Sequence, residues 1–189
     1  SPKEFQPGLA GDEFNLRLEL RLIADVGLVG LPNAGKSSLL NALTRASAKV
    51  ANYPFTTLEP NLGAYYDLLI ADIPGIIEGA SEGKGLGTKF LRHVSRTRVL
   101  FHLVSAESSD PATDYKQVRK ELELFDKSML DKEEHVLLSK SDALELGELK
   151  RKVSTLEKVA KTKVIPINLI DEPSLAKVKA ILDKIAKNK

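Results

Sequence analysis

ADVGLVGLPNAGKSSLLNALTRA, residues 24–46, passes from an apolar run through a glycine-bearing octet into helical periodicity. Ala24–Gly30 reads as a buried strand ending at a glycine, and Ala34–Ala46 as a helix. The octet between them, GLPNAGKS, Gly30–Ser37, matches G-x-x-x-x-G-K-[ST] in the strand–loop–helix setting that pattern requires. Glycines let the backbone curl so that its amides point inward at phosphate oxygens. The helix that follows adds its positive N-terminal end. In this pattern Lys36 reaches the β- and γ-phosphates and the Ser37 hydroxyl is a magnesium ligand. Leu31, Pro32, Asn33, Ala34, Gly35 and Ser38 complete the phosphate-binding set.

Around this unit, strands and helices alternate. FNLRLELRLI (Phe14–Ile23) alternates apolar and polar residues, as a half-buried strand does. NLGAYY and LLIAD, joined at Asp67, read as a hairpin. Thr88–Arg98 reads as a helix, Val99–Val104 as a buried strand, Thr113–Ser128 as an amphipathic helix and His135–Ser139 as a strand. Leu144–Lys161 is a helix with an expected break near Gly147; Lys163–Ile167 is a strand; Ser174 is the expected N-cap of a last helix to about Ala186. This order predicts an α/β fold of the P-loop NTPase type: a doubly wound, mostly parallel six-stranded sheet with one antiparallel edge strand and helices on both faces. In such sheets ligands bind at the carboxyl ends of the strands.

The chain has 189 residues, enough for one domain, with 42% hydrophobic and 29% charged residues. It has no cysteine, which excludes disulfides and thiolate metal sites. A formal net charge of +2 gives no general grip on nucleic acid, and no sequence-specific DNA partner is expected. No apolar run approaches the ~20 residues of a membrane span.

Two further segments carry chemistry. LLIADIPG ends a strand at Asp72, a carboxylate suited to hold magnesium through a water, followed by Ile73, Pro74 and Gly75. Gly75 has no side chain to keep its N–H from a γ-phosphate. YPFTTLEPNLG (Tyr53–Gly63) offers Thr56 and Thr57 as a further magnesium hydroxyl, and motif register selects Thr57.

The segments LELRLIADVGLVGLPNAGKSSLLNAL, NYPFTTLEPNLG, ADIPGIIEGASEGKGLGTKFLRHVSRT and VLFHLV together resemble the G domain of the Obg (CgtA) family of GTPases. The resemblance is dense from about Leu16 to Val104, and the element order continues to the end. It implies an exit segment of a glycine-rich domain over residues 1–20 and an Obg-type G domain over 21–189. It implies a first switch at Phe55–Glu59 with Thr57 on magnesium, a second switch beginning at Asp72–Gly75, a base-reading tetrad at Ser139–Asp142 and a loop backing the base at Ile167–Leu169. On this resemblance Lys36, Thr57 and Gly75 serve catalysis, and Ser37, Thr57 and Asp72 serve the metal. The family implies a cytoplasmic switch, here expected as a monomer, that takes GTP and GDP with Mg2+ and associates with the large ribosomal subunit or its assembly factors.

Two departures from the family pattern, at the tetrad and at the last loop, and one point on catalysis that the family shares qualify the expectation. The tetrad reads SKSD, with Ser139 where the family has asparagine. Asp142 can still accept both guanine donors, N1–H and the 2-amino group, and Lys140 can lay its stem over the base. Asn168 and Leu169 stand where the family has Ser-Ala, so a backbone N–H must reach the guanine oxygen there. Ile76 follows D-x-x-G where many GTPases place a water-orienting glutamine, which predicts slow hydrolysis. Asn33 matches a potassium-binding position of some related GTPases. The rival expectations are an NTPase of relaxed base choice that tolerates ATP, and a nucleotide-bound scaffold without turnover. The glycines of the second switch read as a loop ordered by γ-phosphate, while Arg92, Arg96, Arg98 and the C-terminal lysines read as solvated faces, and His93 and His102 as packing or surface residues.

Overall fold

The computed structural model of the chain describes residues 11, 14, 24–44, 49–50, 61–72 and 97–188. Strands are β1 (Val26–Val29), β2 (Lys49–Val50), β3 (Asn61–Tyr65), β4 (Leu68–Asp72), β5 (Val99–Ser105), β6 (Glu133–Ser139) and β7 (Val164–Pro166). Helices are α1 (Lys36–Leu43), α2 (Pro111–Phe125), α3 (Leu146–Ala160) and α4 (Glu172–Lys187). The strands lie in one sheet in the order β2-β3-β4-β1-β5-β6-β7. β1 pairs in parallel with β4 and β5, β5 with β6, and β6 with β7; β3 is antiparallel to β4. The expected mostly parallel six-stranded sheet is present. The two-residue β2, antiparallel to β3, extends it by one strand.

Strand periodicity divides the core into two layers. Val26, Leu28, Val99, Phe101, Leu103 and Leu137 face α1 and α4. Val29, Leu100, Val104, Val136 and Leu138 face α2 and α3. Leu39, Leu40 and Leu43 of α1 are buried against the first layer, and so are Val178, Leu182 and Ile185 of α4. α4 is also tied across the chain: the Tyr65 hydroxyl donates to Asp183 Oδ1 at 3.0 Å, and Arg98 Nη2 to the Asn188 carbonyl at 3.2 Å.

From β1 the chain crosses to the edge strand β2, returns through β3 to β4 on one side of β1, and then continues on the other side through β5, β6 and β7. The carboxyl end of β1 is therefore the place where strand order reverses, which opens a crevice there. Asp25 fixes the other end. Its carboxylate accepts from Leu69 N at 2.9 Å and its carbonyl from Arg98 N and Val99 N at 3.1 Å, holding β1, β4 and β5 in register.

Several boundaries differ from the sequence reading. α1 begins at Lys36 rather than Ala34, because Gly35 has φ 91°, outside the helical region, and it ends at Leu43 with Thr44 extended. α2 begins two residues early because Asp110 caps it, accepting from Thr113 N, and it ends at Phe125, where Asp126 starts a short 3-10 helix, Lys127–Asp131. α3 has no break at Gly147: it begins at Leu146, so the glycine lies in its first turn, where it interrupts nothing. Ser174 is not the cap of α4. Asp171 caps it, with Pro173 in the first turn. Thr97 and Arg98 lie outside any helix; the rest of the expected Thr88 helix is outside the described residues. Of the Phe14–Ile23 strand, only Phe14 is described, exposed and in no strand.

Candidate functional site at the carboxyl edge of the sheet

β1 delivers the chain to Gly30 at φ 150°. A Cβ there would lie 2.3 Å from the Leu103 carbonyl oxygen, so the loop leaves the strand pressed against the backbone of β5. Gly30→Ala is expected to cost about 2–5 kcal/mol, because the clash is with main chain that cannot turn aside. Thermal unfolding followed by circular dichroism reads this directly, and an unchanged melting temperature would contradict the close approach. Asn33 at φ 60° and Gly35 at φ 91° complete the curl, with Ala34 N donating to Leu31 O at 3.2 Å.

The curl wraps an ammonium. Lys36 Nζ donates to Gly30 O at 2.9 Å and Leu31 O at 3.1 Å. Burial lowers the Lys36 pKa, and the nearby Asp72 carboxylate works the other way. One residue on, Ser37 Oγ donates to Asp72 Oδ2 in a close hydrogen bond. Asp72 ends β4, is 2% exposed, and its Oδ1 is buried with no hydrogen-bond partner among the described residues. A carboxylate with one oxygen on a serine hydroxyl and the other orphaned is a hard-oxygen set that suits Mg2+. Among the described residues no cluster of three His, Cys, Asp or Glu could hold a metal by itself. Ser38 is exposed in the first turn of α1.

The second half of the site hangs from β6 and β7. Ser139 ends β6 fully buried. Its Oγ lies 2.7 Å from Ala34 O and 3.2 Å from Val104 O. A hydroxyl has one proton, so the nearer carbonyl takes the bond and Ser139 braces the phosphate loop. Lys140 is left-handed at φ 55°, and its Nζ pairs with Glu107 Oε2 at 2.5 Å. A 3-10 turn, Ser141–Ala143, then carries Asp142 exposed; Ser141 N donates to Ile167 O at 3.1 Å.

In the neighbouring loop Asn168 N donates to Ser174 Oγ at 2.8 Å, and Asn168 Oδ1 accepts from Ile170 N at 2.9 Å. Ile167 N is bonded to Leu138 O at 2.8 Å. Leu169 N alone in this run has no hydrogen-bond acceptor among the described residues, so it is the amide free to meet a ligand. Pro173 lies in the first turn of α4.

The structure thus brings Gly30–Ser38, Asp72, Ser139–Asp142 and Asn168–Leu169 to one edge. A cleft of about 320 Å³ opens beside the loop, lined by Pro32, Asn33, His102, Glu107 and Lys140 among others. Phe55, Thr56, Thr57, Ile73, Pro74, Gly75 and Ile76 lie outside the described residues. The sequence reading did not single out Glu107. Nothing local marks it, because it meets Lys140 across 33 positions.

Residues 25–140 match the family described as "50S ribosome-binding GTPase". The chain is 47% identical over 186 residues to the GTPase Obg of Pelagibacter ubique, covering 96% of this chain and 57% of that protein. It is 52% identical over 166 residues to the GTPase Obg of Brachyspira hyodysenteriae, covering 85% and 24%. It therefore spans little more than half, or less, of the length of these relatives. Among solved structures, the G domain of the T. maritima FeoB iron transporter superposes with TM-score 0.61 at 22% identity, covering 87% of this chain and 99% of that one. Elongation factor SelB of Methanococcus maripaludis, solved with the GTP analogue GPPNHP, gives 0.60 at 16%, covering 91% and 35%. These two likenesses concern the fold. Among the described residues, no helix is long and apolar enough to cross a membrane.

Proposed function

Because this chain belongs to the 50S ribosome-binding GTPase family, and its sequence relatives are GTPases Obg, we propose that it is a magnesium-dependent guanine-nucleotide switch that hydrolyses GTP slowly. The observation that carries the reading is the meeting of Ser37 Oγ with the buried, half-unpartnered Asp72 carboxylate, beside an ammonium tucked into the loop's curl. In this reading the loop amides and Lys36 hold the phosphates. Ser37 binds magnesium directly, Thr57 completes its shell and Asp72 acts behind a water. Gly75 donates its N–H to the γ-phosphate. Asp142 accepts the two guanine donors, Lys140 covers the base and Leu169 N–H meets the 6-oxo group. Magnesium, when bound, neutralises the charge of the β- and γ-phosphates. Ile76 cannot hold a water by hydrogen bond, so turnover without a partner or a monovalent cation is slow.

Calorimetric titration with GDP and then ADP, in magnesium, tests the base assignment. GDP is expected to bind at least about a hundredfold tighter, since adenine would leave the Asp142 carboxylate facing an acceptor. Equal binding would favour the rival reading of an NTPase with relaxed base choice, the features for which are Ser139 in place of an amide side chain and the altered Asn168–Leu169 loop. Single-turnover hydrolysis separates a slow enzyme from a scaffold without turnover. Potassium near Asn33 is expected to raise the rate over sodium, and equal rates in the two salts would remove that ion from the account. A partner on the large ribosomal subunit, in the cytoplasm, is the family's implication; cosedimentation with 50S particles in GTP but not GDP is the matching test.

A further inference from the structure

The loop joining β5 to α2 carries Glu107, and it is held from an unexpected side. Lys152, on α3, donates to the carbonyls of Ala106 and Ser108, each at 2.9 Å, and pairs with Glu148 Oε1 at 3.2 Å. Two of the ammonium's three donors are thus spent on main-chain carbonyls, with a carboxylate beside them. The Lys152 side chain is 17% exposed, so this is an anchored contact and not a roaming surface lysine.

We propose that Lys152 is a positioning residue for the base site: by gripping the backbone on both sides of Glu107, it sets the carboxylate that orients Lys140. The inference rests on the guanine-binding reading and adds two residues to it. The loop's amides are fastened as well. Ala106 N donates to Ser139 O at 2.8 Å, Glu107 N to Ser105 Oγ at 3.3 Å and Ser108 N to Ser105 O at 3.2 Å. Lys152 takes the two carbonyls that flank Glu107, so the backbone at this residue is held from both sides.

The receiving residue is fixed too. Lys140 follows Ser139, which is locked to Ala34 O, and precedes Ser141, whose N–H is bonded to Ile167 O. A pair like Glu107–Lys140, with side chains 54% and 37% exposed, gains little when both partners roam, because ordering two long side chains costs entropy. Here both backbones are already held, so that cost is smaller and the lysine stem is preset along the cleft it shares with Asn33. A lysine that merely stapled a loop would stabilise the fold without regard to Lys140. A positioning lysine acts through Lys140 and has no effect without it.

The experiment is a double-mutant cycle on the 189-residue chain, with GDP affinity and dissociation rate as readouts. Lys152→Met is expected to weaken GDP about tenfold and Glu107→Gln about threefold, mainly through faster release. In a Lys140→Ala background each change is expected to shift affinity by less than about twofold. Full-size effects in that background, or unchanged GDP affinity in both single variants, would overturn the proposal. If Lys152→Met melts too low to assay, Glu107→Gln supplies the same arm from an exposed position. Failure of the unmodified chain to bind GDP would bring down the guanine reading and this proposal together. Normal binding with unresponsive variants brings down the positioning role alone.

Discussion

Replacing Asp142 by asparagine is expected to weaken GDP binding by at least about a hundredfold and to turn the site toward xanthine nucleotides. The side chain is exposed on the Ser141–Ala143 turn, and the turn is held by main-chain bonds from Ser141 N to Ile167 O and from Ala143 N to Lys140 O. The substitution therefore leaves the fold intact. A carboxylate offers acceptors to both N1–H and the 2-amino group of guanine, whereas an amide offers one acceptor and one donor. The donor would face the 2-amino group, and an unmatched pair in a desolvated site costs about 1–3 kcal/mol on top of the lost charge-assisted bond. Xanthine carries an oxygen at that position, which accepts from the amide. Competition of GDP and XDP against a labelled nucleotide measures the switch. A variant that still binds GDP within about threefold of the parent would show that Asp142 does not read the base.

Removing the Glu134 carboxylate is expected to destabilise the fold strongly. Glu134 Oε1 takes His102 Nδ1 at 2.8 Å, and Oε2 takes the Tyr115 hydroxyl at 3.0 Å and Arg119 Nη1 at 3.1 Å. His102 is fully buried and stacked on Tyr115 with ring centroids 4.6 Å apart. Glu134→Ala strands all three partners between β5 and α2. Breaking a buried charged cluster from one side costs about 3–5 kcal/mol, which lowers the melting temperature of a chain this size by roughly 10 °C. A loss below about 1 kcal/mol would mean that water replaces the carboxylate. The same group sets an acid limit. Burial works to raise its pKa, but the hydrogen bond and attraction of His102, with Arg119 and Tyr115, outweigh it and leave the carboxyl below the ordinary glutamate value. A depressed folded-state pKa means that this contribution is complete above the unfolded glutamate pKa and is lost as pH falls through the folded one. Stability measured as pH falls from about 4.3 to below the folded-state pKa should therefore decline in the parent more steeply than in Glu134→Ala.

What could be read in the sequence was what is local. The phosphate loop closes on itself: Lys36 bonds to carbonyls five and six residues back, and its unusual φ values fall on Gly30, Asn33 and Gly35. The β3–β4 hairpin turns at Tyr66 and Asp67, where the polar break stood. Asp72 was legible because a strand pattern ends on it. Cap positions were less so: Ser174 is as good a cap by type as Asp171, and only the geometry shows which side chain accepts; Asp110 likewise caps a helix whose pattern begins at Thr113. The link from Lys152 to Ala106 spans 46 positions and that from Ser139 to Ala34 spans 105, and no pattern of composition records such meetings.

The place of α4 has a consequence for the order in which the molecule is made. Val178, Leu182 and Ile185 close the same apolar layer as Val26, Leu28 and Ile70, and Tyr65 reaches 118 positions ahead to Asp183. On a nascent chain emerging N-terminus first, the phosphate loop is already outside while the layer beneath it still lacks its last wall. Contacts of such sequence separation are entropically late. α1, which carries Ser37, gains this wall only once α4 has docked, so nucleotide binding by a growing chain is expected to strengthen with the docking of α4 rather than with the appearance of the motif.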